Sequence, residues 1–257
     1  MMKIIDAHIH LDHYKNDEIE QLFEEAQCVE ALISVSFHLE SCKRNLQLSK
    51  TYNKVKPAFG FHPEQPLPTE NELIALFDWM EAHRNEMIAI GEVGLPYYLS
   101  QEGKVLSKNY GQYVELLERF IQVAKKWELP IVLHAVYDDA PIVCDLLEKY
   151  SVTKAHFHWF KGDPKTIERM SSNGYHISIT PDVLYEPEIQ QLVQMYPLDQ
   201  MMIETDGPWP FEGPFKGKMT NPNMMIHSIE MIGYLKQLSD LEVSEILLKN
   251  TKEFYRL

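Results

Sequence analysis

The sequence predicts a single (β/α)₈ barrel of the TIM type, in a regular or distorted form. Eight short runs rich in Ile, Val and Ala recur along the chain, and amphipathic stretches long enough for helices lie between most of them. The runs are continuously apolar, as expected for strands that are buried on both faces of a parallel sheet. Eight such strands alternating with helices favour a closed barrel over an open sheet.

The eight strands are assigned, in chain order, to short apolar runs. These runs are KIIDA, ALISVS, KPAFG, MIAIG, PIVLH, KAHFH, YHISI and MMIE, over residues 3–7, 31–36, 56–60, 87–91, 130–134, 154–158, 175–179 and 201–204. Helices are predicted where apolar residues recur every three to four positions, over residues 16–27, 41–52, 70–84, 106–128, 140–150, 164–172, 186–195, 223–237 and 242–254. The Gly- and Pro-rich segment GPWPFEGPFKGKMTNP follows the last strand and predicts a long loop over one barrel mouth.

Length and composition indicate one domain. The 257 residues are 45% apolar, enough for one sizeable core, and no linker or low-complexity tract divides them, so we expect a single domain over residues 1–257. A formal net charge of -14 argues against a nucleic-acid-binding stripe. The N-terminus has no signal-peptide pattern and no long apolar segment occurs. We expect a soluble cytoplasmic protein without membrane contact, and the sequence predicts no protein partner.

Histidines and carboxylates concentrate where the strands of such a barrel end, which is where its functional site forms. The residues in these positions are His8, His10, His62, Glu92, His134, His158 and Asp206. Imidazole suits zinc, and carboxylate suits magnesium, manganese or zinc. The sequence therefore predicts a divalent-metal site, with the ligands His8, His10, Glu92, His134, His158 and Asp206.

Strand geometry refines this prediction. Alternate positions of a strand share a face, so His8 and His10 can reach one ion from the same side. Asp6 has the same parity and is placed to orient a ligand from behind. His62 lies near the mouth, and we expect it to contact substrate. Structural roles are expected for the remaining histidines outside the sixth strand, namely His13, His38, His83, His176 and His227.

The motifs DAHIHLD, GFHPE, GEVGLPYY, LPIVLHA, FHWFKG and IETDGPW occur in the order and spacing of the TatD family of metal-dependent hydrolases, in the amidohydrolase superfamily. The resemblance extends from about Ile4 to the tail near Asn250. It implies a distorted (β/α)₈ barrel with one to three divalent ions and hydrolysis, most often of phosphodiester bonds in DNA.

The resemblance also implies individual roles for the predicted ligands. His8, His10 and Asp206 would hold one ion, His134 and His158 would hold a second, and Glu92 would bridge two ions of zinc, magnesium or manganese. Two ions so placed can activate a water molecule and clamp the attacked and leaving oxygens. Glu92 and Asp206 would be the catalytic residues, with Asp206 also taking the proton from that water.

This chain departs from the family in the groups that recognise anions. Pro96 stands where the family usually has Asp, and Val136 stands where it has Arg. Lys161 follows the FHWF element, and Lys216 and Lys218 replace an arginine of the late loop. Lysine supplies a point charge and not a bidentate fork, so phosphate would be held less rigidly. Lys161 is the candidate for a substrate contact particular to this chain.

Three functions follow from these observations. The leading one is a deoxyribonuclease-like phosphodiester hydrolase that acts on DNA or a small phosphoester. The alternative is a small-molecule phosphoester, lactone or amide hydrolase that uses the same two ions. The third is a barrel that binds metal or a partner without catalysis, although a relic would be expected to lose ligands before substrate contacts.

The sixth strand carries two histidines, and only one is expected to bind metal. His156 and His158 have the same parity in KAHFHWFKG, so strand alternation does not separate them. Position along the strand does: His158 is nearer the carboxyl end and matches the family's histidine at this point. We expect His156 to lie one layer deeper, in the core or behind a ligand.

Overall fold

Eight parallel strands form the centre of the protein, which a computed structural model describes over residues 2–257. The strands follow one another around a single sheet in chain order. They are β1 (Ile4–Ile9), β2 (Val29–Ser34), β3 (Val55–Phe59), β4 (Ala89–Gly94), β5 (Ile131–His134), β6 (Ala155–Phe157), β7 (His176–Ile179) and β8 (Met201–Ile203).

The first strand meets the segment that follows the last strand. The amide of Asp206 donates to the carbonyl of His8 at 2.9 Å, and the amide of His10 donates to the carbonyl of Gly207 at 2.7 Å. The carboxylate of Asp6 adds a side-chain link, because it accepts from the amide of Thr205 at 3.0 Å and from its hydroxyl at 2.6 Å. The prediction of a (β/α)₈ barrel is confirmed.

Helices cover the outside of the sheet. They are α1 (Asn16–Glu25), α2 (Leu39–Thr51), α3 (Glu70–Ala82), α4 (Tyr97–Gln101), α5 (Ser107–Trp127), α6 (Asp139–Tyr150), α7 (Pro164–Ser172), α8 (Pro187–Met195), α9 (Met225–Lys236) and α10 (Asp240–Tyr255). Capping boxes begin two of them, Thr69 with Glu72 at α3 and Ser239 with Glu242 at α10. Among residues 2–257, no helix is long and apolar enough to cross a membrane.

The core has two layers. The larger cluster contains residues of both the strands and the helices, such as Ile90 of β4, Leu133 of β5 and Leu117 of α5. The smaller cluster fills the barrel with short side chains from the strands, including Ala58 and Ala89, and the end of α10 adds Phe254 and Tyr255 to it. This arrangement supports the prediction of one domain over residues 1–257, which stays a prediction.

The strands of the site differ from their predicted bounds. β1 and β4 run two or three residues further than expected, so His8 and Glu92 lie inside strands. The pairing register shifts between Asp6 and Ile9 and between Ile90 and Val93. Irregularities of this kind re-aim side chains next to active sites.

Two other regions were not anticipated in detail. The short helix α4 follows Pro96 in a segment that the periodicity left unassigned. The loop after β8 contains 3₁₀ turns at Gly213–Phe215 and Pro222–Met224 and has a small apolar cluster of its own, formed by Phe211, Phe215 and Met224. The loop is therefore held by packing as well as by its turn residues.

Candidate metal centre

The structure brings the predicted ligands together at one end of the barrel. His8 lies in β1, Glu92 lies in β4 and His134 ends β5. His10, His158 and Asp206 follow their strands within three residues. All six side chains are buried.

One carboxylate oxygen of Glu92 faces the ligands from the first strand. Its Oε2 lies 3.1 Å from Nε2 of His8 and 3.2 Å from Nε2 of His10. The same two nitrogens lie 3.4 and 3.5 Å from Oδ1 of Asp206. These four side chains therefore converge on one point.

The other oxygen of Glu92 faces a second group of histidines. Its Oε1 lies 2.7 Å from Nε2 of His158 and 3.0 Å from Nδ1 of His134. His62, which we expected to contact substrate, also reaches this oxygen, with its Nε2 at 3.3 Å. Glu92 thus stands between two sets of nitrogens, one on each carboxylate oxygen.

The donors present fit divalent metal ions. Oε2 of Glu92 and Oδ1 of Asp206 are buried and accept no hydrogen bond, although each lies within 3.5 Å of two histidine nitrogens. Ligand atoms directed at a common ion, and not at one another, have this geometry. Among residues 2–257, neither carboxylate has a Lys or Arg in ion-pair contact. A cluster of imidazoles and carboxylates without a cationic side chain suits a divalent cation.

The carboxylates are held in the charged form. Burial disfavours the charge on Glu92, but the surrounding histidines, His158 first, outweigh it and hold the pKa of Glu92 well below its usual range. Burial likewise opposes the charge on Asp206, but the neighbouring histidines, His8 first, outweigh it and keep the pKa of Asp206 below its usual value. Both groups can therefore serve as anionic ligands at neutral pH.

The histidines divide in their affinity for protons. Burial and the neighbouring His158 oppose protonation of His8, yet the charges of Glu92 and Asp206 raise the pKa of His8 to about 9. In contrast, burial dominates at His62 and lowers its pKa to about 4. The site thus favours a positive charge at His8 and favours the neutral form of His62.

His156 lies one layer deeper than His158 and hydrogen bonds within the barrel. Its Nε2 lies 2.5 Å from Oγ of Ser178, and its Nδ1 lies 2.7 Å from the hydroxyl of Tyr255. Because the Ser178 hydroxyl donates to Glu204, it accepts from Nε2–H of His156, and Nδ1 accepts from Tyr255. Burial lowers the pKa of His156 well below its ordinary value. The ring is therefore a neutral member of a saturated network.

Glu204 is a buried carboxylate that sequence reasoning did not single out. Its Oε1 accepts from the amide of Trp159 at 2.7 Å and lies 3.7 Å from Nδ1 of His158. It therefore lies behind a predicted ligand. The signal was its position in IETDGP, two residues before Asp206, which makes it a carboxylate at a strand end.

Glu64 is a second carboxylate that sequence reasoning missed. Its Oε1 lies 3.2 Å from Nε2 of His134, and its two oxygens accept from the amides of Tyr98 and Leu99 at 2.8 Å each. The motif GFHPE contains it two residues after His62, but nothing in the spacing indicates that it reaches β5. Only the tertiary arrangement shows this contact.

Asp6 and Lys161 lie apart from the ligand cluster. Within residues 2–257, Asp6 bonds the backbone amide of His8 at 3.2 Å and the residue Thr205, but no imidazole ring. Lys161 is outside the wall of the site, and its Nζ lies 5.3 Å from the ring centroid of Trp159. A substrate contact for Lys161 stays a prediction.

A cavity of about 580 Å³ opens over the ligand cluster. Its walls are formed by His10, Phe37, His62, Glu64, Tyr98, Leu99, Glu102, His134, Val136, His158, Trp159, Asp206, Trp209 and Pro210. Among the described residues, no Lys or Arg contributes to this wall. The cavity therefore combines a floor of predicted metal ligands with an aromatic and acidic rim.

Sequence comparisons find relatives that match nearly the whole chain. The model of the family described as TatD related DNase matches residues 5–256. A protein of Haemophilus influenzae named as an uncharacterized metal-dependent hydrolase is 41% identical over 99% of this chain and 100% of its own. The human protein named Deoxyribonuclease TATDN3 is 31% identical over 98% of this chain and 94% of its own.

Solved structures agree on the fold. The chain superposes on the crystal structure of the TatD homolog YJJV from Escherichia coli with a TM-score of 0.87 at 24% identity, covering 99% of this chain and 98% of that one. A hydrolase of the TatD family from Entamoeba histolytica gives a TM-score of 0.83 at 19% identity, with coverage of 99% and 98%. The barrel is therefore one that solved structures already represent.

Proposed function

The chain belongs to the family of TatD-related DNases and is a metal-dependent hydrolase, and we propose that it cleaves phosphodiester bonds with two divalent ions bridged by Glu92. The observation that supports this most directly is that the two carboxylate oxygens of Glu92 face different pairs of histidines. Its Oε2 faces His8 and His10, and its Oε1 faces His134 and His158.

Each side of Glu92 has its own ligand set in this proposal. His8 and His10 join Asp206 on one side, and His134 joins His158 on the other. Bound ions would lower the pKa of a water molecule and neutralise charge on the phosphoryl oxygens. Imidazole and carboxylate ligands admit zinc, manganese or magnesium.

Asp206 is the proposed acceptor of the proton from the attacking water. It is the only carboxylate of the ligand set that lines the cavity, since Glu92 lies beneath the wall. Its Oδ1 accepts no hydrogen bond from the described residues, and its pKa lies below the usual value. In this proposal Oδ1 faces the ion held with His8 and His10, and the second carboxylate oxygen of Asp206 is left to take the proton.

The proposed substrate is the phosphodiester of an unpaired nucleotide strand or end. The human relative named as a deoxyribonuclease supports this class. Tyr98 and Trp209 line the cavity and are 45% and 46% exposed, so their rings are available to stack on a base. The net charge of -14 opposes extended contact with a duplex.

A small-molecule ester or amide is the second candidate substrate. It is favoured by the cavity wall, where Glu64 and Glu102 stand and where no described Lys or Arg contributes. Val136 lines the wall at the position where the family resemblance leads one to expect Arg. A neutral, partly aromatic substrate would meet less repulsion there than a polyanion.

Substrate profiling after metal removal tests the proposal. The protein is stripped with a chelator and reloaded with Mg²⁺, Mn²⁺ or Zn²⁺. It is then offered single-stranded DNA, an aryl phosphodiester, a lactone and an arylamide. We expect metal-dependent cleavage of the two phosphodiesters, and a loss of at least 100-fold in Asp206→Asn. Cleavage of only the lactone or amide would favour the second candidate and overturn the first.

A further inference from the structure

We propose that Glu64 is a positioning residue that orients two histidines of the site in different ways, so that His134 binds metal and His62 donates a hydrogen bond. The inference rests on the proposed function, because it assigns parts within the same centre. It starts from two contacts of Glu64. Its carboxylate lies 3.2 Å from Nε2 of His134, and its backbone amide donates to Nδ1 of His62 at 3.1 Å.

The carboxylate contact determines which nitrogen of His134 is free. An ionised carboxylate only accepts hydrogen bonds, so Nε2 of His134 must carry the hydrogen. Nδ1 then has a lone pair, and it is Nδ1 that lies 3.0 Å from Glu92 and 3.1 Å from His158. A carboxylate that fixes the far nitrogen of a metal-binding histidine also fixes the ring's orientation and raises its basicity.

The backbone contact has the opposite consequence for His62. Because Nδ1 of His62 accepts from the amide of Glu64, the neutral ring carries its hydrogen on Nε2. That Nε2 lies 3.3 Å from Oε1 of Glu92. His62 therefore presents an N–H to the centre where His134 presents a lone pair. It is suited to donate to Glu92 or to a substrate oxygen, and not to bind an ion.

Glu64 also joins His134 to the wall of the cavity. Helix α4 begins after Pro96, whose side chain offers no acceptor for the first amides of the helix. A capping side chain usually comes from the residue just before a helix. Here the carboxylate of Glu64 supplies it from the loop after β3, through the amides of Tyr98 and Leu99. One side chain thus holds both a predicted metal ligand and the helix that carries Tyr98.

Metal affinity tests the role of the carboxylate. We expect Glu64→Ala to weaken Mn²⁺ or Zn²⁺ binding by about 10- to 100-fold in a chelator competition. Glu102→Ala is the matched control, because Glu102 lines the same cavity and pairs with Lys104 without touching a histidine. Its affinity should stay within about twofold of the unmodified protein. Equal affinity in Glu64→Ala and the unmodified protein would overturn the role.

Hydrogen exchange tests the link to α4 without metal. In the metal-free protein, the amides of Tyr98 and Leu99 should exchange faster in Glu64→Ala than in Glu102→Ala. Glu64→Gln keeps one acceptor oxygen, so it should give a smaller increase and serves as the second variant if the alanine variant does not fold. Unchanged exchange at both amides in a folded variant would contradict the link.

The number of bound metal ions distinguishes the role of His134 from that of His62. His134→Gln should retain one ion of two, whereas His62→Gln should retain both. Loss of an ion from His62→Gln would show that His62 is a ligand and overturn its assignment as a donor. If the unmodified protein bound no divalent ion, or bound ions without cleaving any phosphodiester, the proposed function would fail. The Glu64 variants test the inference separately from that result.

Discussion

Oε1 of Glu92 lies 2.7 Å from Nε2 of His158, closer than any other pair of ligand atoms in the cluster. If Glu92 bridges two ions, Glu92→Gln changes one oxygen to an amide that cannot bind metal and should lower both affinity and turnover. We expect hydrolysis to fall by at least 100-fold. Steady-state rates and metal content after dialysis measure this, with Glu168→Gln as the control for lost charge, because Glu168 is exposed on α7 and does not line the cavity. Full activity with two bound ions in Glu92→Gln would rule out the bridge.

Trp209 at the cavity rim should contribute to the binding of aromatic substrates. Stacking on one base is worth about 1–3 kcal/mol, so Trp209→Ala should raise KM for an aryl phosphodiester by roughly tenfold and change kcat little. An alkyl phosphodiester offers no ring and should show no such increase. A similar increase in KM for both substrates would point to a general change in the cavity and not to stacking.

The hydroxyl of Tyr255 should stabilise the barrel interior. Tyr255→Phe leaves Nδ1 of His156 buried without a donor, and an unsatisfied group of this kind costs about 1–3 kcal/mol. Thermal unfolding should show a lower Tm. Tyr234→Phe is the matched control, because Tyr234 is 79% exposed and loses nothing buried. Equal Tm values for the two variants would contradict the role of the network.

Gly94 is required by the close approach of β4 and β5. A Cβ at Gly94 would lie 1.9 Å from the carbonyl oxygen of His134, so Gly94→Ala must displace the strand that carries a predicted ligand. We expect a loss of about 1–3 kcal/mol or more. Gly111 lies inside α5, where a Cβ meets nothing within 4 Å, and Gly111→Ala should stabilise by about 0.5–1 kcal/mol. Denaturant midpoints that shifted in the same direction in Gly94→Ala and Gly111→Ala would contradict these two predictions.

His176 should make the protein less stable in mild acid. Burial against Phe254 keeps the pKa of His176 below the ordinary value of 6.5. The folded state then resists a proton that the unfolded chain accepts, so stability falls as pH falls below about 6.5.

Urea midpoints at pH 7.5 and 5.5 measure the effect of His176. His176→Gln removes this titration, and the drop in midpoint between the two pH values should be smaller in the variant. His227→Gln is the control, because His227 is about half exposed. An equal drop in all three proteins would show that His176 does not contribute.

The sequence predicted the barrel and the convergence of the six candidate ligands because both follow from local pattern. Continuous apolar runs mark buried parallel strands, and polar residues at their carboxyl ends must meet at one mouth. Because alternate residues of a strand point to the same face, the sequence also placed His8 and His10 on one face. His156 was expected to lie deeper than His158, and the structure places it there.

What could not be predicted depends on contacts between distant segments. Glu64 reaches His134 across 70 positions, and no periodicity encodes the direction of a loop side chain. The helix α4 is short and is capped by that same distant side chain, so neither its pattern nor its first residue signals it. Asp6 had the correct parity for a ligand partner, but its carboxylate accepts from Thr205 and from the backbone amide of His8, and not from an imidazole ring of the described residues.

The first strand and the segment after β8 form a seam, through the contacts of His8, His10 and Asp6 with residues 205–207. This seam affects the order of events when the protein is synthesised. Asp6 and Thr205 are 199 positions apart, so a ribosome must add most of the chain before the two can meet. Until then His8 and His10 emerge without Asp206, their nearest carboxylate across the seam. A partly synthesised chain would therefore provide only some of the ligands that the folded protein provides to an ion. Metal should therefore bind only after Asp206 has been synthesised and has reached β1. Truncated products that lack Asp206 should fail to retain metal.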